Sequence, residues 1–279
     1  MRFDLHCHSH FSDGKHAPEY LLDRAVALGL SHLAITDHDY IPAMGIVPNG
    51  HEQLTVIPGV EISCEWEGLE IHVLGLFIDY GDGALQDLLR QQQQIRRERV
   101  EAMDRLLLDD GINGLSGYMG KLPCISYTRS HVADFLVEHG ICKNRDRAFK
   151  RYLGRRGRLY VPIEWCSMEQ AVSTINSAGG IAIVAHPGRY PLSKSRLQRM
   201  LAEFLETGGE AIEASYGNID PNMKKYLHET AEKFEFYVSA GSDFHDASAH
   251  WTDLGKFPAL NEAGIKNAIW DHPIWHSGT

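Results

Sequence analysis

Two histidines flank one residue near the start of the chain, in Asp4-Leu5-His6-Cys7-His8. In an extended segment side chains alternate between faces, so His6 and His8 point the same way and can share one cation, while Cys7 turns into the core. More imidazoles and carboxylates stand in short polar motifs: Ser12-Asp13-Gly14, Thr36-Asp37-His38, Gly59-Val60-Glu61-Ile62-Ser63, His72, Ala185-His186-Pro187-Gly188 and Gly241-Ser242-Asp243-Phe244-His245. Most sit where an apolar, strand-like run gives way to a loop. One such histidine is usually a hydrogen-bonded structural residue. Nine such groups are different, because burying His6, His8, Asp13, His38, Glu61, His72, His186, Asp243 and His245 together without a cation would be costly. Mixed imidazole and carboxylate donors suit two or three divalent ions, Mn²⁺ first and Fe²⁺ or Zn²⁺ as alternatives. Ions roughly 3.5 to 4 Å apart bind phosphate oxygens and generate hydroxide near neutral pH, so the expected nucleophile is a metal-bound hydroxide, with no side chain singled out for the role. No GxSxG elbow, P-loop or GxGxxG motif supports acyl transfer, nucleoside triphosphate use or hydride transfer.

The elements that must carry these groups follow from periodicity. Apolar runs at 2–6, 32–36, 54–63, 69–78, 181–186, 210–214 and 235–240 read as strands, and 18–28, 168–178, 193–206 and 221–233 as helices. Proline and an acid open the first helix in Ala17-Pro18-Glu19, and Gly29 follows its end. Alternation of this kind predicts a parallel sheet with right-handed crossovers. Seven strands favour closure into a β/α barrel, whose C-terminal face is where active sites are built. From about 83 to 157 the alternation stops, leaving a long polar helix over 85–108 and shorter ones over 131–138 and 146–153. The expected organisation is a barrel formed by 1–82 and 158–279, with 83–157 as a helical insertion or cap.

Composition narrows the setting. Of 279 residues 43% are hydrophobic and 23% charged, enough apolar mass for a core and too much for disorder. No apolar run approaches the roughly 20 residues of a membrane span, and no signal-peptide pattern opens the chain. Five cysteines without a CxxC pair argue against a disulfide framework or a zinc ribbon, and the cytosol is the expected compartment. The net charge of −10 argues against a general nucleic-acid coat, yet residues 143–158 hold eight bases and one acid, Asp146. For an anionic substrate the candidate contacts are Arg129 and His131 at a helix start, where anions are favoured, and Arg189, three residues past His186. Lys150 and Tyr160, in and just beyond the basic segment, are further candidates. Gln91–Gln94 with Arg96, Arg97 and Arg99 reads as an ordinary exposed helix face.

Taken together, HxH with SDG, TDH, GVEIS, His72, AHPGRY and GSDFH resemble the PHP (polymerase and histidinol phosphatase) family over roughly residues 2–260. Thr128-Arg129-Ser130-His131 and Tyr160-Val161-Pro162 add a resemblance to its 3′,5′-nucleoside-bisphosphate phosphatases that also act as 5′→3′ exoribonucleases. That resemblance implies a distorted seven-stranded β/α barrel with three divalent ions. His6, His8, Glu61 and Asp243 would hold the first. Asp13, His38 and His245 would hold the second, and Glu61, His72 and His186 the third, with Glu61 bridging. The implied substrates are 3′,5′-bisphosphonucleosides such as pAp, losing the 5′-phosphate, and short 5′-phosphorylated RNA. A histidinol-phosphate phosphatase of the same family would need no basic insertion, and a non-catalytic metal- or RNA-binding module would lack ligands. An amidohydrolase would bring a strand-end lysine as metal bridge where this chain has Glu61. Asp37 is expected either to orient a neighbouring ligand or to cap its loop.

Overall fold

The computed structural model describes residues 2–42, 51, 53–249, 251–260 and 266–277. The fold is mixed α/β. One sheet has three parallel strands, β1 (Phe3–Cys7), β2 (His32–Ile35) and β3 (Thr55–Val56), in that order. The second has six, ordered β6-β4-β5-β7-β8-β9, from β4 (Gly59–Trp66), β5 (Leu69–Leu76), β6 (Cys166–Ser167), β7 (Ile181–Val184), β8 (Ala211–Tyr216) and β9 (Tyr237–Gly241). The two sheets do not close into one ladder. Single bridges join their ends, Cys7 to Phe244 and His38 to Glu61. There Asp243 N–H donates to His6 O (2.8 Å) and Asp39 N–H to Glu61 O (2.8 Å).

Three expectations need correction. The run 54–63 is two strands, because Pro58 has no N–H to continue the ladder. Ile57 N–H still donates to Leu33 O, whereas Pro58 O accepts from Phe77, so the chain changes partners at the proline. The sheet is not all parallel either, since β5 runs antiparallel to both β4 and β7. The cause is the two-residue turn Glu67-Gly68, with φ of 48° and 71°, the doubly left-handed hairpin turn that suits strand twist. The third concerns the polar face of α2 (Gly83–Asp109), which is exposed only in part: Gln91 and Gln94 face solvent, but Gln92, Arg96 and Arg99 are buried. Gln92 donates to Ser63 O and accepts from Cys166 N–H, stitching α2 to β4 and β6.

Helices α1 (Pro18–Ala27), α6 (Met168–Ser177), α7 (Lys194–Glu206) and α8 (Pro221–Phe234) bury apolar faces on the sheets. Residues 83–157 contain only helices: α2, α3 (Leu115–Met119), α4 (Arg129–Glu138), α5 (Arg145–Ala148) and a π-helical turn, Phe149–Leu153. The far half of α2 packs with these around a second apolar cluster, including Met103, Leu107, Phe135, Leu136 and Leu153, separate from the main core. A short C-terminal helix, α9 (Pro273–Ser277), completes the order.

Arg96 ties the two regions together. Its Nε donates to Asp39 Oδ2 (2.7 Å), Nη2 to Ser63 Oγ (2.7 Å) and Nη1 to Tyr127 O (3.0 Å). Removing one partner of such a buried pair strands the other. Arg96→Ala should therefore cost about 3–5 kcal/mol in urea denaturation, and Arg96→Lys should recover less than half, having no planar fork. A loss below about 1 kcal/mol would mean the pair behaves as a solvent-screened surface bridge.

Candidate metal centre

Strand β1 is buried along its whole length, so alternation sends His6 and His8 together into the space between the sheets. Glu61 enters it from β4, His72 from β5, His186 from the end of β7, and Asp243 with His245 from the loop after β9. Asp13 and His38 complete the ring from the loops after β1 and β2. Two of these positions have left-handed backbone, His186 (φ 32°) and Asp243 (φ 53°). Such conformations cost of order 1–3 kcal/mol each and cluster at functional sites.

The donor atoms stand at spacings that could share cations. Three carboxylate oxygens, Asp13 Oδ1, Glu61 Oε2 and Asp243 Oδ1, are buried without a hydrogen-bond partner among the described residues. Each is ringed by three imidazole nitrogens. Asp13 Oδ1 lies 3.3, 3.6 and 4.0 Å from His245, His38 and His8. Asp243 Oδ1 lies 3.1, 3.4 and 3.6 Å from His8, His6 and His245. Glu61 Oε2 lies 3.0, 3.3 and 3.5 Å from His38, His8 and His6. Its other oxygen, Oε1, faces His72 Nδ1 at 2.9 Å and His186 Nε2 at 3.0 Å. Ligand atoms about 2.1 Å from one ion stand roughly 3–3.5 Å from each other, so the spacing fits shared cations. Ligand-sized groupings are His8/Asp13/His38/His245, His6/His8/Asp243, His6/Glu61/His186 and His38/Glu61/His72. All nine residues singled out from the sequence are thus brought together.

Further groups hold the ring. Glu213 Oε1 sits 3.0 Å from His6 Nδ1, and its Oε2 accepts from His186 N–H (2.7 Å). It was missed in the sequence, where the signal is a lone acid in the apolar run Ala211-Ile212-Glu213-Ala214. Asp37 accepts from Ser9 N–H (2.8 Å) and from the hydroxyls of Ser9 and Ser12 (both 2.5 Å), while Ser12 Oγ is 3.3 Å from His8 Nδ1. It therefore does both things foreseen for it. Asp4 accepts from Ser242 N–H (2.8 Å) and Gly255 N–H (2.7 Å), fixing the loop that carries Asp243. Cys7 is core, as expected, its thiol directed to Ala34 O.

The electrostatics follow from packing carboxylates among imidazoles. Burial opposes the charged form of every member. The histidines nonetheless hold Asp13, Glu61 and Asp243 well below the usual carboxylate range. In return, against burial, Glu61 and Glu70 raise His72 to about 10, and Asp13 and Asp243 raise His245 to about 9. His8, where burial and the neighbouring His245 act in the same direction, falls to about 3.

The candidate substrate contacts are scattered. Arg189 pairs with Asp243 Oδ2 and donates to Gly217 O, at the edge of the ring. Arg129, first residue of α4, reaches Glu70 at 3.3 Å, and Glu70 lies 3.7 Å from His72 Nε2. His131 is buried and caps its own helix, its Nδ1 accepting from Thr128 N–H (3.0 Å), while the Thr128 hydroxyl donates to Asp13 Oδ2 (3.2 Å). Lys150 and Tyr160 are exposed, and among the described contacts neither touches the nine. A residue read as ordinary helix surface is instead buried: Arg99, whose Nε has no partner among the described residues, interacts electrostatically with Glu70 and lines a cleft of about 530 Å³ with Ile95, Glu98, Val161, Pro162 and Glu164.

The PHP domain family matches residues 4–116. The 5′-3′ exoribonuclease Rnm of Escherichia coli is 39% identical over 278 residues, covering 97% of this chain and 94% of that protein. The chain belongs to the PHP family. A 3′,5′-nucleoside bisphosphate phosphatase of Chromobacterium violaceum is 36% identical over 262 residues, covering 90% of each chain. A solved structure described as an amidohydrolase from Chromobacterium violaceum, with bound sulfate and no metal, superposes with a TM-score of 0.87 at 33% identity, over 97% of this chain and 95% of that one. These names differ in substrate but share a reaction type, and this PHP protein is a hydrolytic enzyme. Where an amidohydrolase would usually bring a strand-end lysine, this chain has Glu61, which belongs to two of the candidate groupings.

A pH dependence follows for the PHP protein stripped of divalent ions by chelation. His72 and His245 have raised pKa values, so their contribution to stability is complete below about pH 6.5, their unfolded value, and is lost as pH rises through about 9 to 10. His8 works oppositely and removes stability below about pH 6.5. The melting temperature of the chelated protein should fall steadily between about pH 7 and about pH 10. An alkaline limb that stays flat to about pH 10 would contradict the charge arrangement.

Proposed function

We propose that the chain is a metal-dependent phosphoesterase that hydrolyses nucleoside 3′,5′-bisphosphates and shortens short RNAs from the 5′ end. The observation that carries this reading is the set of three unpartnered carboxylate oxygens, each surrounded by imidazoles at cation-sharing distance. His6, His8 and Asp243 would hold one ion with Glu61. Asp13, His38 and His245 would hold a second, and Glu61, His72 and His186 a third. Mn²⁺ is the first choice for all three. Bound there, the cations supply charge neutralisation for a phosphate ester and activation of water. In the scaffold we assign to this site, β1, β2, β4, β5, β7, β8 and β9 form a distorted barrel interrupted at the two single bridges. Residues 1–82 and 158–279 make that body, and 83–157 the cap.

What the side chains add is placement. Arg189, held by Asp243 and the Gly217 carbonyl, presents its guanidinium at the rim of the ion ring. Arg129 stands at the N-terminus of α4, oriented by Glu70 and by the cap that His131 completes, on the His72 side. Arg99, buried and electrostatically linked to the same Glu70, its Nε without a hydrogen-bond partner among the described residues, gives that side a second cation. A bisphosphate has one phosphate to be cleaved and one to position it, and binding energy from the second raises turnover. A 5′→3′ exonuclease breaks the ester on the 3′ side of the terminal nucleotide. A bisphosphate offers the same phosphorus as its 3′-phosphate. This reverses the expectation that the 5′-phosphate is the one lost: one scissile position serves both substrates only when the 3′-phosphate sits at the metals and Arg129, with Arg99, takes the 5′-phosphate.

The test is phosphate release and product identity with Mn²⁺ present, from pAp, 3′-AMP, 5′-AMP, histidinol phosphate and 5′-phosphorylated oligoribonucleotides. pAp should be preferred, with 5′-AMP as product. Formation of 3′-AMP would place the 5′-phosphate on the metals instead, and preference for histidinol phosphate would defeat the nucleotide reading. Glu61→Gln should lower both the metal content and, by at least about a thousandfold, kcat; near-normal turnover would remove it from the bridging role. Arg129→Ala should cost about a hundredfold in kcat/KM for pAp, the scale of losing one partner of a desolvated charge contact. Monophosphates should lose far less.

A further inference from the structure

Residues 143–158 carry +7, while the rest of the chain carries −17, the total being −10. The fold does not neutralise this segment. Arg145 pairs with Asp134 and Arg158 with Asp110, but Lys143, Arg147, Lys150, Arg151, Arg155 and Arg156 are exposed with no carboxylate partner among the described residues. The backbone also pushes charge outward. Gly157 N–H donates to Gly154 O (2.7 Å), closing a tight turn with Arg155 and Arg156 at its tip. Side-chain replacement at Gly157 is blocked by Tyr152 O, which a Cβ would meet at 2.3 Å, so the turn is fixed against the π-helical segment beneath it. Apolar packing of Tyr152, Leu153 and Leu159 into the second core anchors both flanks.

The segment starts at the edge of the ion ring. Lys15 N–H donates to His245 O (2.7 Å), Lys15 Nζ bonds Asp134 Oδ2 (2.5 Å), and Asp134 Oδ1 takes Arg145 Nε (3.1 Å). Three contacts therefore lead from a ring residue to the first turn of α5. In an acidic protein, a fixed row of unpaired cations gains little except from a polyanion. Resting on the phosphoesterase reading, we infer that 143–158 is a track for the sugar-phosphate backbone of single-stranded RNA, holding the nucleotides beyond the one at the metals. The track gives preference for chain length without touching the hydrolytic step. It would also let the enzyme retain an oligomer between successive cleavages.

The experiment compares pAp with 5′-phosphorylated dinucleotide, tetranucleotide and octanucleotide RNA, for the parent enzyme and for Arg147→Ala/Arg155→Ala/Arg156→Ala, over a range of KCl concentrations. Binding of a labelled octanucleotide, read by fluorescence anisotropy with divalent ions chelated, runs in parallel. Each phosphate neutralised on a single strand contributes about −0.7 to the log–log salt slope, so losing three contacts should flatten the octanucleotide slope by about 2. Octanucleotide affinity at low salt should fall at least tenfold, pAp kcat/KM should stay within twofold, and the triple Arg→Lys variant should restore both slope and affinity. An unchanged octanucleotide slope overturns the track, since a merely solvated basic face predicts that result. Equal losses on pAp and octanucleotide in a folded variant also overturn it, by placing the cluster in the hydrolytic pocket. Should the parent hydrolyse pAp but no RNA, the exonuclease reading fails separately, and the anisotropy slopes still decide whether the track binds RNA.

Discussion

The interaction on which the rest of the site depends is the burial of the Glu61 carboxylate among imidazoles. Two oxygens, fully removed from water, face five histidine nitrogens between 2.9 and 3.5 Å away. An isolated carboxylate in such a place would take up a proton before it stayed charged. Here the reverse holds, because the surrounding rings push its proton affinity well below normal. Positive charge must therefore reside in the ring, on imidazoles in the metal-free protein and on cations in the loaded one. The two are alternatives, because a histidine that binds a metal through a ring nitrogen cannot keep a proton there. Ions held by these groups would displace protons from His72 and His245, linking metal affinity to pH through the same few atoms.

That requirement explains the irregular sheet. A regular parallel ladder would orient strand ends uniformly, but Glu61 must meet residues from both sheets. Pro58 releases the chain from β2, and the Glu67-Gly68 turn reverses it, so β4 and β5 deliver Glu61 and His72 from adjacent antiparallel strands. The single bridge between His38 and Glu61 then brings the first sheet alongside the second. Breaks in the hydrogen-bond ladder and ligands fall at the same positions, Cys7–Phe244 being the other instance, with His6, His8 and Asp243 around it. Strain follows the same map, since His186 and Asp243 are the two ligands in left-handed conformation.

How much of this could be read in the sequence depends on how local each signal was. HxH at strand spacing, and polar motifs ending apolar runs, disclosed all nine ring residues. They depend on neighbours in sequence and on which side chains chelate metals. The helical character of 83–157 was legible for the same reason. Register was not: the antiparallel β5 depended on a two-residue turn whose second residue is an unremarkable glycine, and the split at Pro58 hid within an apolar run. Glu213, Asp4 and Arg99 were invisible because their roles are contacts at long range, His6 to Glu213 spanning 207 residues. The polar face of α2 was misjudged because polarity normally signals solvent. There it signals a docked surface, since Gln92 and Arg96 satisfy backbone and carboxylate groups of β4 and its neighbours that would otherwise be buried unpaired.

His131 has a task in the fold that its sequence position did not disclose. At the third residue of its helix it closes the cap, its Nδ1 accepting a hydrogen bond from the Thr128 amide. The same cap directs the Thr128 hydroxyl to Asp13 Oδ2, leaving Oδ1 free in the ring. The cap therefore couples the helical region to a ring ligand. It also aims the first residue of that helix, Arg129, toward Glu70 and His72. One local motif, Thr-Arg-Ser-His, so fixes the distance between a guanidinium and the ion ring. On the proposed function that distance would limit the substrate, because a phosphate in the ring and another at Arg129 would have to belong to one molecule long enough to reach both.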